Sequence, residues 1–199
     1  ITGGIVSSVV PTVLYNTEKA LRRYLDVEPL VVGRSLKTGM RLRTDNPREV
    51  GADRIANSVG AWHLVGGPTV VVDFGTATTC DVISGKGEYI GGVIAPGVNI
   101  SLDALFSRTA ALRAVELVEP RNVIGRTTVE CIQSGAIFGF AGMVDGLVSR
   151  IKDELGECKV IGTGGLSSLI APYSATIEQI EPWITLHGLR LVHAKNSER

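Results

Sequence analysis

Charge of either sign is not in excess in this chain: 20 Lys and Arg balance 20 Asp and Glu across 199 residues. A neutral chain has no general attraction for nucleic acid or an anionic membrane surface, so neither is expected as a partner. Long hydrophobic runs are missing too. None approaches the roughly 20 residues of a membrane span, although 44% of the residues are apolar. Cysteine is scarce: Cys80, Cys131 and Cys158 are odd in number and far apart, the pattern of reduced thiols in a cytoplasmic protein. No CxxC or Cys/His cluster suggests zinc, and His63, His187 and His193 stand alone. Repeats with periods of about 20–50 residues, low-complexity tracts and a Walker A sequence are absent. The opening "ITGGIVSSVVP" has neither an initiator Met nor a charged signal-peptide start. It reads as the beginning of a fragment or processed product.

What is present is an alternation of strand and helix patterns, in a chain long enough for one substantial domain or two small ones. Ile5–Val10 reads as a short strand closed by Pro11, "PTVLYNTEKALRRYL" as a helix burying Val13, Leu14, Leu21 and Leu25, and "PLVVGRSL" as a second strand. Residues 37–50 are loop-like, with Pro47 marking a turn. "GADRIANSVGAWHLV" follows as a helix with Ile55, Val59, Trp62 and Leu64 or Val65 inward. Gly66-Gly67-Pro68 is the clearest break, and a domain boundary is expected there. Three strands then follow closely, Thr69–Asp73, Thr78–Ser84 and Tyr89–Pro96, the last two joined by a Gly85-Lys86-Gly87 turn. "NISLDALFSRTAAL" predicts a helix. From Thr128 to Leu155, Val129, Ile132, Ala136, Phe140, Met143, Leu147, Ile151 and Leu155 recur at helical spacing. "KVIGTGG" is a strand entering a glycine turn, "ATIEQIEPWIT" holds a short strand, and "LHGLRLVHAK" is a closing helix. The plan is layered α/β.

Four stretches could carry chemistry. In "TVVVDFGTATTC" an apolar strand stops at Asp73; Gly75 permits a sharp turn, and Thr76, Thr78 and Thr79 add hydroxyls. Turn amides of that kind suit phosphate and the aspartate suits a neutralising cation; an ordinary turn with Asp73 satisfying its amides is the other reading. "IGTGG" lets the backbone of Gly162, Gly164 and Gly165 approach a ligand, but does not complete GxGxxG. In "GADR", Asp53 is either a helix-start acceptor or a general base, with Arg54 holding an anionic group. In "GRTTVE", Thr127 and Glu130 have capping-box spacing, which leaves Thr128 free to face a substrate. The following helix carries Gly135, Gly139, Gly142 and Gly146 on one face. Each costs a helix about 0.8–1 kcal/mol against Ala, so a close neighbour is expected there, either another helix of the chain or a second subunit.

Taken in order, "EVGADRIANS", "VVVDFGTATTCDVI", "GGVIAPG", "GRTTVECIQSGAIFG" and "GTGG" resemble type III pantothenate kinase, a likeness running from "SSVVP" to "LHGLRLVHAKN". The resemblance implies the ribonuclease-H-like fold of actin, acetate kinase and sugar kinases, with nucleotide held between two similar domains. Here these would be residues 1–66, the remainder of the first, and 67–199, the second. It implies transfer of phosphate from ATP to pantothenate, the first step of coenzyme A synthesis, by a cytoplasmic homodimer using Mg2+ and a monovalent cation, K+ or NH4+. Asp53 would accept the proton of the pantothenate hydroxyl. Gly51, Ala52, Asp53, Arg54 and Thr128 would line the pantothenate site, and Asp73 would hold the monovalent cation. Gly75 and Thr76 would meet ATP phosphate, and Gly162, Gly164 and Gly165 the adenosine side. Phosphoryl transfer asks for positioning and charge neutralisation, which these groups provide.

The resemblance also shows two departures. About the first quarter of a typical member, with its Asp-x-Gly-Asn-Thr-like phosphate loop, has no counterpart here. The chain alone is therefore expected to bind ATP poorly and turn over negligibly until an upstream segment is restored. Thr44 stands where some members place a tyrosine over pantothenate. Two other readings stay open: a non-catalytic relative acting as a regulatory accessory factor, and a kinase of the same fold with another small substrate.

Overall fold

The computed structural model describes residues 1–8, 10–33 and 36–197. The chain forms two compact units, Ile1–Thr69 with Asp81–Gly91 and Trp183–Arg199, and Val70–Cys80 with Gly92–Pro182. The sequence reading put a boundary after Gly66; here residues 81–91 and 183–199 go with the first unit.

In the first unit, α1 (Pro11–Leu25) begins with proline at its first position, where the missing N–H has no helical partner to lose. It ends at Asp26 in the left-handed region, φ 52°. The inward face expected of it is only half realised: Leu14 and Leu21 are half-buried, while Val13 and Leu25 are exposed and no residue of the helix is fully buried. The two strands expected nearby are short. β1 (Ile5–Val6) pairs in parallel with β2 (Leu30–Val31). Of the longer stretches read as strands, Val9, Arg34 and Ser35 lie outside the described residues.

The firm contact of this unit is between α2 (Ala52–Val65) and α6 (Ile184–Ser197). A Cβ on Gly188 would overlap the Ala56 carbonyl, and one on Gly60 would lie 2.5 Å from the Ile184 carbonyl oxygen. Only glycine at both positions lets the two backbones come this close. Val32, Ala56 and Leu189 form a buried cluster beside the crossing, with Ile5, Leu36 and Ala52 packed against it. Ile55 and Val59 are buried as expected; Trp62 and Val65 are half-buried, and Leu64 faces out. Thr185 Oγ1 donates to the buried Asn57 side chain at 2.6 Å, adding a polar tie between the helices.

Residues 37–50 are not all loop. β3 (Arg41–Leu42) pairs in parallel with the start of β6 (Glu88–Pro96), Arg41 opposite Glu88, and a 3-10 turn covers Pro47–Glu49. Two residues carry too little periodicity to show as a strand in sequence; the charge pair of Arg43 with Glu88, 2.9 Å, marks the register. With β4 (Thr69–Phe74), β5 (Ala77–Ile83), β7 (Lys159–Thr163) and β8 (Gln179–Ile180), the strands are ordered β3-β6-β5-β4-β7-β8. Val70, Val71, Val72, Val160 and Ile161 are fully buried, the mark of central strands covered on both faces.

The second unit adds α3 (Val98–Arg108), α4 (Thr128–Leu155) and the short α5 (Ser167–Ile170). α4 has the expected limits, but its buried face is turned from the one read in sequence. Ile132, Ala136, Ile137, Ala141, Val144 and Val148 are inside, while Phe140, Met143, Leu147, Ile151 and Leu155 are half-buried and Val129 is exposed. By length and composition this helix could cross a membrane, which the sequence reading did not detect; its Ile137, Val144 and Val148 are buried within the unit. Gln133 Nε2 donates to the Glu116 carbonyl at 2.8 Å and Ser134 Oγ to that of Val123 at 2.6 Å, so two polar residues of the helix hold the irregular segment before it.

Candidate active site

In the first unit the candidate residues cluster at the start of α2. Gly51 is its N-cap and has no side chain to accept the helix N–H groups, so Asp53 does so from inside the first turn: its carboxylate accepts the Arg54 N–H at 2.9 Å. The same carboxylate folds over Gly51, where a Cβ would lie 2.5 Å from Oδ1. Glycine at 51 is the condition for that conformation. The helix-start role weighed for Asp53 is thus present, and the residue remains exposed. Ala52, half-buried, packs against the core cluster of this unit.

Arg54 points inward, not to solvent. Its Nε donates to Asp81 Oδ1 at 2.6 Å; the Asp81 side chain is 0% exposed and that of Arg54 16%. Tyr89 OH donates to the same Oδ1 at 3.1 Å, and the guanidinium carbon stands 5.7 Å from the Tyr89 ring centroid, a cation–π distance. Arg54 Nη2 is buried without an acceptor among the described residues. Burial pushes the Asp81 carboxyl up to about 6, outweighing the Arg54 charge and the hydrogen bonds from Arg54 and Tyr89 that favour its ionised form. Burial also raises the Tyr89 phenol, with the Asp81 charge adding to it. Sequence reasoning missed both residues. The available signal was the charge of Asp81 inside the apolar stretch "TCDVI", since an aspartate is almost never fully buried unless paired. Thr44, half-buried, also has its hydroxyl without a partner among the described residues.

In the second unit, the turn Asp73–Thr76 follows β4 and is pinned from two directions. Gly75 N–H donates to the Ala77 carbonyl at 3.1 Å and closes the turn, and an added Cβ on Gly75 would lie 3.3 Å from Asp73 Oδ1. Gly97, the last residue of "APG", lies against it so closely that a Cβ would overlap the Thr76 carbonyl oxygen. Gly164, at φ +91°, comes from the other motif: a Cβ there would overlap Asp73 Oδ1 and lie 2.7 Å from the Phe74 backbone. Ser167 Oγ, at 2.7 Å, and N–H, at 3.1 Å, both donate to the Gly164 carbonyl and fix that turn. The opening aspartate motif and the Gly-Thr-Gly-Gly motif therefore form one backbone cradle, with Gly97 as a third part that sequence reasoning quoted but gave no role. Thr76 and Gly165 are exposed at it; Gly162 is buried inside β7, against Ile177.

Thr128 starts α4 and is exposed. Thr127 and Glu130 form the capping box that their spacing predicts: Glu130 N–H donates to Thr127 Oγ1 and Thr127 N–H to Glu130 Oε2, each at 3.2 Å. Thr128 edges an apolar cavity of about 460 Å³ lined by Leu102, Leu105, Ile132, Gly135 and Phe140. Among the described residues, Gly135, Gly139 and Gly142 have no atom within 4 Å of where a Cβ would be, beyond the helix's own backbone, so no described helix packs on that stripe.

A family model described as type III pantothenate kinase matches residues 1–150. The type III pantothenate kinase of Rhodococcus erythropolis is 56% identical, covering 100% of this chain and 76% of its own length. That of Moorella thermoacetica is 50% identical, covering 99% of this chain and 78% of its own. Among solved structures, that of a conserved Baf family transcriptional activator from Campylobacter jejuni superposes with a TM-score of 0.61 at 21% identity, covering 100% of this chain and 85% of that one. This last likeness concerns the fold alone.

Proposed function

The chain belongs to the type III pantothenate kinase family, and from that premise we propose that it transfers a phosphoryl group from ATP to a hydroxyl of pantothenate, the first step of coenzyme A synthesis. Family membership carries the reaction; the local geometry supports the roles of individual residues. Asp53, exposed at the start of α2, is the proton acceptor for the attacking hydroxyl. Arg54 supplies positive charge for the pantothenate carboxylate, while Gly51 and Ala52 hold the backbone that presents both residues. Thr128 is a further pantothenate contact, beside a cavity whose apolar lining suits the substrate's dimethyl carbon.

The cradle of the second unit serves the nucleotide. Exposed Thr76 and the turn at Gly75 meet phosphate, and Gly164 and Gly165 give the adenosine side a backbone without side chains in the way, while Gly162 lies buried inside β7 behind them. Asp73 and the carbonyl oxygens of its turn are hard donors of the kind that fit K+ or NH4+. When bound, such a cation neutralises phosphate charge. Among the described residues no group of three or more His, Cys, Asp or Glu is placed to hold a metal ion. Mg2+ would then be carried largely by the phosphates and water, as is usual for it at nucleotide sites. The open glycine stripe of α4 fits a second copy of the chain, giving a homodimer, and light scattering reads that mass directly. Three cysteines, odd in number and far apart, fit a cytoplasmic enzyme.

The test is phosphate transfer from labelled ATP to pantothenate, measured on the chain joined to the upstream segment of a type III pantothenate kinase. Asp53→Asn should lower the rate by about 10²–10⁴, the span of general-base assistance, and leave pantothenate binding within about twofold. An undiminished rate would remove Asp53 from the chemistry.

A further inference from the structure

Arg54 has five N–H donors, and the geometry divides them. The Nε edge is committed to Asp81 at 2.6 Å. Nη2 is desolvated and without an acceptor among the described residues. A buried donor with no partner is costly, more so when charged, and a bound acceptor relieves that cost. The guanidinium also cannot swing freely. Its Nε is held by a carboxylate that is itself buried, and the Tyr89 ring lies beside it. Tyr89 in turn fixes that carboxylate through its hydroxyl at 3.1 Å. The three residues come from α2, β5 and β6, and all belong to the first unit.

We propose that Asp81 and Tyr89 are positioning residues that lock the Arg54 guanidinium by its Nε edge and leave its Nη edge to the carboxylate of the substrate. The inference rests on the reading that Arg54 binds that carboxylate. Lysine could not substitute for the arginine, since one ammonium group offers no second edge and no planar fork. Asp81 and Tyr89 touch no substrate atom. They fix the direction of the fork, so they select for a ligand that carries a carboxylate over one that carries a neutral group in its place.

The measurement is calorimetric titration of the chain with two ligands, pantothenate and pantothenol, which has a hydroxymethyl group where pantothenate has its carboxylate. Asp81→Asn keeps the volume and removes the charge. It should weaken pantothenate about tenfold, the loss of one well-aligned charged contact, and pantothenol by less than about twofold. Tyr89→Phe, which removes one oxygen and is the milder probe of folding, should move the same ratio in the same direction by about threefold. In an Arg54→Lys background, Asp81→Asn should change the ratio little, because the lock then has nothing to hold. Equal weakening of both ligands by Asp81→Asn, or no weakening of either, overturns the positioning role while leaving the pantothenate site intact. If the unaltered chain binds pantothenate no better than pantothenol, the carboxylate role of Arg54 fails first and the positioning role falls with it.

Discussion

Gly164 gives the sharpest test of the cradle. At φ +91° an L-residue is strained whatever the space around it, by roughly 1–2 kcal/mol. The space is also taken: a Cβ would overlap Asp73 Oδ1 and lie 2.7 Å from both N and C of Phe74. Backbone atoms of a buried strand cannot step aside as the end of a long side chain could, and overpacking of this kind costs roughly 1–3 kcal/mol more. Gly164→Ala should therefore destabilise the protein by roughly 2–5 kcal/mol. Gly165→Ala is the internal control, because that position is exposed with nothing within 4 Å and no positive φ. Its effect should stay within about 0.5 kcal/mol. Urea unfolding followed by circular dichroism reads both; with a slope of about 2 kcal/mol per molar, the Gly164 variant should unfold about 1–2.5 M earlier. A Gly164→Ala midpoint within about 0.2 M of the control would refute the close approach of the two motifs.

Two further outcomes follow from the first unit. Gly188→Val forces apart the α2–α6 crossing at Ala56, and should lower stability by roughly 1–3 kcal/mol or more, whereas Gly67→Ala, with nothing within 4 Å, should be near neutral in the same thermal melt. The pH dependence has a definite sign. Burial raises the Asp81 carboxyl to about 6, above its unfolded value, so the folded state binds the proton more tightly. The stability this contributes is full below the unfolded value of 3.8 and is lost as pH rises through about 6. Asp81→Asn, with Arg54, Tyr89 and Asp53 unchanged around it, should flatten that part of the stability curve; an unaltered slope between pH 4 and 6 would count against it.

The legible parts of the fold were those written in local pattern. α1, α2 and α4 could be delimited nearly to the residue, because proline, glycine and a capping box mark their ends. The three strands after Gly67 were legible for the same reason, each being an apolar run stopped by turn residues. β3 was not legible, since two residues have no period. The buried face of α4 was misjudged because Phe140, Met143 and Leu147 are apolar at helical spacing yet only half-buried, and apolarity does not say which neighbour covers a side chain. At the candidate site, Asp53, Asp73 and the glycines could be named from sequence; Asp81, Tyr89 and the packing role of Gly97 could not.

Local pattern sets most of the helix and strand segments, β3 apart, and gathers aspartates, threonines and glycines into short motifs. These depend on residues within a few positions of one another, through capping, φ preference and hydrophobic period. Long-range packing instead brings Arg54 to Asp81, 27 residues on, and fits Gly188 against Ala56. The same packing closes Gly164 and Gly97 on the turn after Asp73. Each of those contacts is set by how elements cross and by the absence of a Cβ, and neither leaves a periodic trace in the chain.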